Sequence, residues 1–225
     1  MAEFDTFAPD YGKIVSESVR ITGESSDYFA AYKADYVVRK IGLRAGARLL
    51  DYGCGVGLLS AHLKKRLATV RVDGFDVSKD SLNLVDAALL RQGTFTTNHG
   101  ELADAYDVIV LANVLHHVQP EKRPGLLKEV SSRLAQGGKI VIFEHNPLNP
   151  LTRLAVSKCP FDKGVELLPR CETSNYFRRD GFEGLSRDYV VFFPRWLAWF
   201  RSLERSLAWC PLGAQYAVVA GRVRH

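Results

Sequence analysis

Two histidines stand side by side at His116-His117, directly after an apolar run, and Glu144-His145 closes the next such run. Imidazole titrates near neutrality, so a ring placed there can take a proton from an alcohol or phenol, and a neighbouring carboxylate can orient it. The pair could equally do no more than hydrogen-bond loop backbone. Upstream, Leu49-Leu50-Asp51-Tyr52-Gly53-Cys54-Gly55-Val56-Gly57 passes from apolar residues into an acid and three alternating glycines. Glycines there let the backbone turn tightly and approach a bulky ligand where a strand gives way to a helix. A second acid, Asp76, ends the apolar run Val70 to Phe75. It lies about 20 residues further on, where an acid meets the ribose in nucleoside-binding folds.

The elements that must position these groups follow from periodicity. Tyr28, Phe29, Tyr32, Tyr36, Val37 and Ile41 recur at three- and four-residue intervals, which predicts an amphipathic helix ahead of the first strand. Strands are expected at Ala47–Tyr52, Val70–Asp76, Thr94–Asn98, Tyr106–Ala112 and Lys139–Glu144, then at Tyr189–Phe193 and Gln215–Val223. Helices are expected over Leu58–Leu67, from a Ser78 cap through Leu90, and from Pro120 through Leu134 to a stop at Gly137-Gly138. Strands alternating with helices predict an α/β chain with a doubly wound, mostly parallel sheet and right-handed crossovers. Ligands of such sheets sit outside the carboxyl ends of the strands, here Asp51 to Gly57, Asp76, Ala112 to His117 and Glu144 to Asn146.

Nicotinamide-binding loops carry G-x-G-x-x-G, whereas this loop reads G-x-G-x-G with an acid two residues ahead. That spacing resembles motif I of the class I S-adenosylmethionine-dependent methyltransferases. The resemblance implies one domain with a seven-stranded sheet of order 3-2-1-4-5-7-6, its last strand antiparallel. It divides the chain into an N-terminal helical lid (1–46), a cofactor core (47–146), a substrate-side insertion (147–186) and closing strands with an aromatic helix (187–225). S-adenosylmethionine would lie on Asp51, Gly53, Cys54, Gly55 and Gly57, with Asp76 holding both ribose hydroxyls and Val77 against the adenine. Ala112 and Asn113 would border it, and Asn98 or Gly100 would reach the adenine amine, because the usual acid after strand three is missing. His116, His117, Glu144 and His145 would handle the acceptor, and Tyr11 would close over the cofactor as part of the lid.

The rest of the chain narrows the function. At 225 residues it supports one sizeable core, and no run of about 18 apolar residues is present to span a membrane. The N-terminus lacks a leader pattern, and four dispersed cysteines form no C-x-x-C pair, so a cytoplasmic protein without disulfides or a metal is expected. Ala112-Asn113-Val114-Leu115 does not match the N/D-P-P-aromatic motif of amine-methylating nucleic-acid enzymes, and no appended basic module is seen. Residues 1–146 hold 18 basic and 18 acidic residues, whereas 147–225 hold 12 and 7. This excess suggests an anionic acceptor met by Arg153 and Lys158 on the substrate wall running through Cys159-Pro160-Phe161-Asp162. Trp196, Trp199, Phe200, Leu203, Leu207 and Trp209, with Arg195, Arg201 and Arg205 between them, have helical spacing. That stretch could meet a membrane surface, contact a second subunit or pack across the substrate pocket. The leading expectation is O-methylation of a secondary metabolite or a sugar or glycan precursor by a monomer or homodimer. N-methylation, a lipid-linked acceptor and a non-catalytic cofactor-binding subunit are the alternatives.

Overall fold

The computed structural model describes residues 22–162, 164–179 and 182–222. Ser25 accepts a hydrogen bond from the Tyr28 N–H and opens helix α1 (Ser26–Ile41), which Gly42 ends in a left-handed turn. Its buried face is Ala30, Lys33, Ala34, Tyr36 and Val37; Tyr36 and Val37 were read from the sequence, while Tyr28, Phe29, Tyr32 and Ile41 are only partly buried against the same core. Strands β1 (Arg48–Tyr52), β2 (Arg71–Phe75), β3 (Phe95–Thr96), β4 (Tyr106–Ala112), β5 (Leu134–His145), β6 (Glu183–Val190) and β7 (Gln215–Gly221) form one sheet of order β3-β2-β1-β4-β5-β7-β6. The first five are parallel, and β7 runs antiparallel to both β5 and β6.

Strand β4 lies at the centre of the sheet, and alternate residues feed two cores. Ile109 and Leu111 pack with Leu50, Ile140, Ile142 and Val218 on one face. Val108 and Val110 pack with Leu49, Val141, Phe143 and Ala217 on the other. Helix α2 (Leu58–Arg66) follows β1, and α3 (Lys79–Leu82) and α4 (Ala87–Leu90) follow β2. Helix α5 (Arg123–Ser132) precedes β5, while α6 (Pro150–Lys158) and α7 (Arg170–Arg179) fill the connection to β6. The parallel arrangement brings the carboxyl ends of β1, β2, β4 and β5 to one edge.

Four expectations need correction. The helix after Ser78 is two short ones, because Asp86 caps a second start by accepting from the Ala88 N–H. Strand β5 begins at Leu134 and carries Gly137 and Gly138 inside it, where the register against β4 shifts. A Cβ at Gly138 would sit 2.8 Å from the Ala135 carbonyl oxygen and 2.9 Å from that of Tyr106, so the glycine permits the irregularity. Strand β6 ends at Val190 rather than Phe193, since Val191 takes φ 60° and breaks the ladder. The Trp–Arg stretch is a 3₁₀ run (Arg195–Leu207) with non-helical backbone at Leu197, and its large side chains face outward.

Candidate active site

A cleft of about 680 Å³ opens at the strand-end edge, a size suited to a cofactor-scale ligand. Its floor is Tyr52, Gly53 and Gly55 from β1 and its loop, with Phe75, Asp76 and Val77 at β2. Gly53 has φ 80°, and a Cβ there would lie 2.4 Å from Val114 Cγ2, so this turn excludes any side chain. The Asp76 carboxylate accepts from the Gly55 N–H (2.7 Å) and the Ser78 N–H (2.9 Å), which fixes it in the wall. Val77 is 60% exposed beside it, an apolar surface facing the ligand space. Behind the floor, the Tyr52 and Phe75 rings stack at 4.7 Å, and His99 braces both.

A second, smaller cavity of about 90 Å³ shares Gly53, Ala112 and Asn113 with the cleft and is bounded by Asp51, Cys54 and Lys33. Asp51 is buried and accepts from Ser60 Oγ at 2.7 Å; burial lifts its pKa to about 6. Burial also lowers Lys33 to about 8. Lys33 was not singled out by sequence reasoning, because a lysine on the buried face of α1 has no local signature. Asn113 adopts φ 59°, and its buried Oδ1 has no hydrogen-bond partner among the described residues. Tyr28 Oη and Gln215 Oε1, which also line the cleft, are buried without partners in the same way. Three orphaned polar atoms at one cleft are what a ligand-binding wall presents to donors and acceptors of its ligand.

The other predicted residues separate into two groups. Cys54 packs beneath the loop against Leu82, Val85 and Leu89, and Gly57 begins α2 rather than lining the cleft. Asn98 and Gly100 are not among the residues that line the cleft; Asn98 Oδ1 accepts from the Gly100 N–H and caps a 3₁₀ turn. Tyr11 lies outside the described residues. Arg153 and Lys158 sit on the exposed face of α6, and among the described residues that line the cleft none is lysine or arginine. The expected basic substrate wall is therefore a largely apolar one, built by Leu151, Ala155, Val156, the Val191–Pro194 stretch and Trp196.

At the far end of the cleft the titratable residues converge. His116 Nδ1 donates to Glu144 Oε2 at 2.5 Å, and Glu144 Oε1 accepts from the Leu115 N–H at 2.7 Å. Asp162 Oδ1 lies 3.5 Å from His116 Nε2 and 3.4 Å from His117 Nε2. Burial works against charge on His116, but Glu144 and Asp162 overcome it and lift the ring to about 9. Burial and the His116 charge push His117 down to about 4 and His145 to about 3, so both are neutral near pH 7. The ring centroids of His117 and His145 lie 4.1 and 5.1 Å from that of His116. His116 is 1% exposed and engaged on both nitrogens; His117 is 21% exposed. The His116, His117 and Asp162 ligand atoms lie within 4.8 Å of one another and could hold a divalent cation, a set that only the fold assembles. Arg123, 1% exposed, secures the loop by donating to the Leu115 and Val118 carbonyls (3.1 and 2.9 Å) and to Glu172 and the Glu166 carbonyl.

Residues 27–189 match the family described as Methyltransferase domain. The chain belongs to the S-adenosylmethionine-dependent methyltransferases. Asp76, the glycine turn and the orphaned Asn113 are of the chemistry that the cofactor's ribose and amino-acid portions need. A ubiquinone biosynthesis O-methyltransferase of Aeromonas salmonicida is 30% identical over 122 residues, 51% of this chain and 50% of that protein. Phosphoethanolamine N-methyltransferase 1 of Arabidopsis thaliana is 27% identical over 156 residues, 65% and 27% of the two chains. The chain spans about half the length of the ubiquinone-biosynthesis relatives it matches. An Archaeoglobus fulgidus S-adenosylmethionine-dependent methyltransferase structure superposes with a TM-score of 0.68 at 15% identity, over 88% of this methyltransferase and 95% of that chain. That likeness shows the fold. Among the described residues no helix is long and apolar enough to cross a membrane.

Proposed function

We propose that this methyltransferase methylates a hydroxyl oxygen of a small, largely apolar acceptor, with His117 as the proton acceptor. The observation that carries this reading is the partly exposed His117 ring on the cleft wall beside the buried His116, which Glu144 and Asp162 flank, while burial and His116 push His117 low. When bound, S-adenosylmethionine supplies an electrophilic methyl group on a sulfonium, whose departure leaves a neutral thioether. Asp76 would hold the ribose hydroxyls, Val77 the adenine face, and Asp51, Lys33 and Asn113 the zwitterionic end. Positioning of the acceptor by the apolar wall supplies up to about 7–11 kcal/mol of effective concentration. His117 Nε2 takes the hydroxyl proton, and Asp162 at 3.4 Å stabilises the ring as it becomes charged. His116, Glu144 and Arg123 act through that loop as positioning residues. The proposed route uses no cation, and the chelator arm of the assay below checks that.

The apolar lining without lysine or arginine favours an aromatic secondary metabolite over a phosphorylated sugar, and it gives no support to an anionic acceptor. The ubiquinone-biosynthesis relatives, named as O-methyltransferases, support oxygen as the acceptor atom. None of the four cysteines forms a disulfide, which fits the cytoplasmic location we propose. The test is a labelled-methyl assay across phenolic, alcoholic and amine acceptors. A phenol or alcohol should be methylated at a rate unchanged by a chelator, and His117→Asn should cut that rate by roughly 10²–10⁴ with cofactor affinity intact. Turnover of amines alone, or wild-type turnover by His117→Asn, would refute the assignment.

A further inference from the structure

The mouth of the cleft is bordered by Leu151 on one side and Trp196 on the other, and beyond them lies a surface the chemistry does not use. Trp196, Trp199 and Trp209 are 70, 77 and 74% exposed, and Leu203 and Leu212 on the same segment are half or more exposed. Leu148, Leu151 and Leu154 of the α6 region are also exposed. The two stretches are joined: Asn149 Nδ2 donates to the Leu212 carbonyl and Thr152 Oγ1 to that of Ala214. Arg153, Lys158, Arg195 and Arg205 are exposed among these apolar groups. Glu204 is the one acid in residues 195–222, and it is buried, accepting from the Phe192 and Phe193 N–H groups. Residues 147–158 contain no acid. The rim is therefore apolar and of one charge sign.

We propose that this rim is a membrane-docking surface that seats the cleft mouth on an anionic lipid bilayer. Tryptophan rings take the headgroup boundary, where an apolar body and a polar N–H are both accommodated, and arginine stems lie along apolar surface while their heads stay wet. An amphipathic stretch with basic and aromatic residues meets a bilayer in this way. Exposed cations with no exposed acid among them complement anionic headgroups. It follows that the apolar acceptor reaches His117 from the lipid phase, a consequence that rests on the proposed O-methylation; the docking itself does not.

The chain's 3 tryptophans all lie in this surface, so selectively excited tryptophan emission reports on it alone. The experiment adds phosphatidylcholine vesicles, with or without phosphatidylglycerol, to the full chain and follows emission and co-sedimentation without any acceptor. Vesicles containing phosphatidylglycerol should shift emission to shorter wavelength and sediment the protein, with binding weakened by salt. Arg195→Gln and Arg205→Gln should each lower partitioning about fivefold, and Trp199→Ser with Trp209→Ser should abolish it. Unchanged calorimetric binding of S-adenosylmethionine would show these variants to be folded. Absence of both emission shift and sedimentation with anionic vesicles would overturn the proposal. So would a blue shift that grows with protein concentration in the absence of lipid, which would assign the surface to a second copy of the chain.

Discussion

Burial and neighbouring charges push the adjacent rings of His116 and His117 in opposite directions, and the pH behaviour of the enzyme should follow from that. The His116 ring, raised to about 9 against an ordinary value near 6.5, contributes stability that is full below about pH 6.5 and is lost as pH rises toward 9. His117 and His145, lowered to about 4 and 3, act in the other direction: their contribution is present above about pH 6.5 and is lost as pH falls. Denaturant midpoints should therefore peak near pH 6–7. In the same picture kcat/KM should hold a plateau above about pH 4 and fall through an alkaline limb near 9, and His116→Gln should remove that limb. An alkaline limb that persists in His116→Gln would show that this ring does not set it. Adjacency of the histidines was legible in the sequence. Their division of labour was not, because it depends on Asp162, 45 positions beyond His117, being folded against them.

Among the elements, the loop Leu115–His117 is the one whose stability decides the site. Its backbone is held by Glu144 from β5 and by Arg123 from the start of α5. Removing the guanidinium leaves carbonyl oxygens unpaired in a buried setting, a loss of about 3 kcal/mol. Arg123→Met should lower the melting temperature by roughly 6–12 °C in a chain of this size and reduce turnover more than cofactor affinity. A change of less than about 2 °C would show that water replaces the guanidinium without loss. Strand β4 was readable from its unbroken apolar run, and α1 from its three- and four-residue repeat, because burial imposes both patterns directly. The start of β6 was not readable, since this edge strand alternates only partly and opens with the exposed Glu183 and Gly184. The aromatic repeat at Arg195–Leu207 was visible, but its periodicity marks a surface rather than a core: an apolar moment tells which residues share a face, not what covers it.

At the scale of the whole molecule, one sheet edge gathers everything chemical: the glycine turn, both acids, Asn113, the histidine cluster and the mouth with its exposed aromatic rim. The edge was predictable from the strand order and Asp162 from its place on the expected substrate wall, whereas Lys33 and Gln215 enter only through tertiary packing. The basic excess of residues 147–225 was also legible, but among the described residues it supplies no lining of the cleft, so charge counting alone does not say which partner it meets. We propose that this edge holds S-adenosylmethionine through Asp76 and the adjoining small cavity. Isothermal titration of the cofactor into wild type, Asp76→Ala and Lys33→Met tests it most directly. Wild type should bind saturably, Asp76→Ala should lose roughly 1.5–3 kcal/mol, and Lys33→Met should lose less. Equal affinity in wild type and Asp76→Ala, or preferential binding of a nicotinamide dinucleotide, would contradict it.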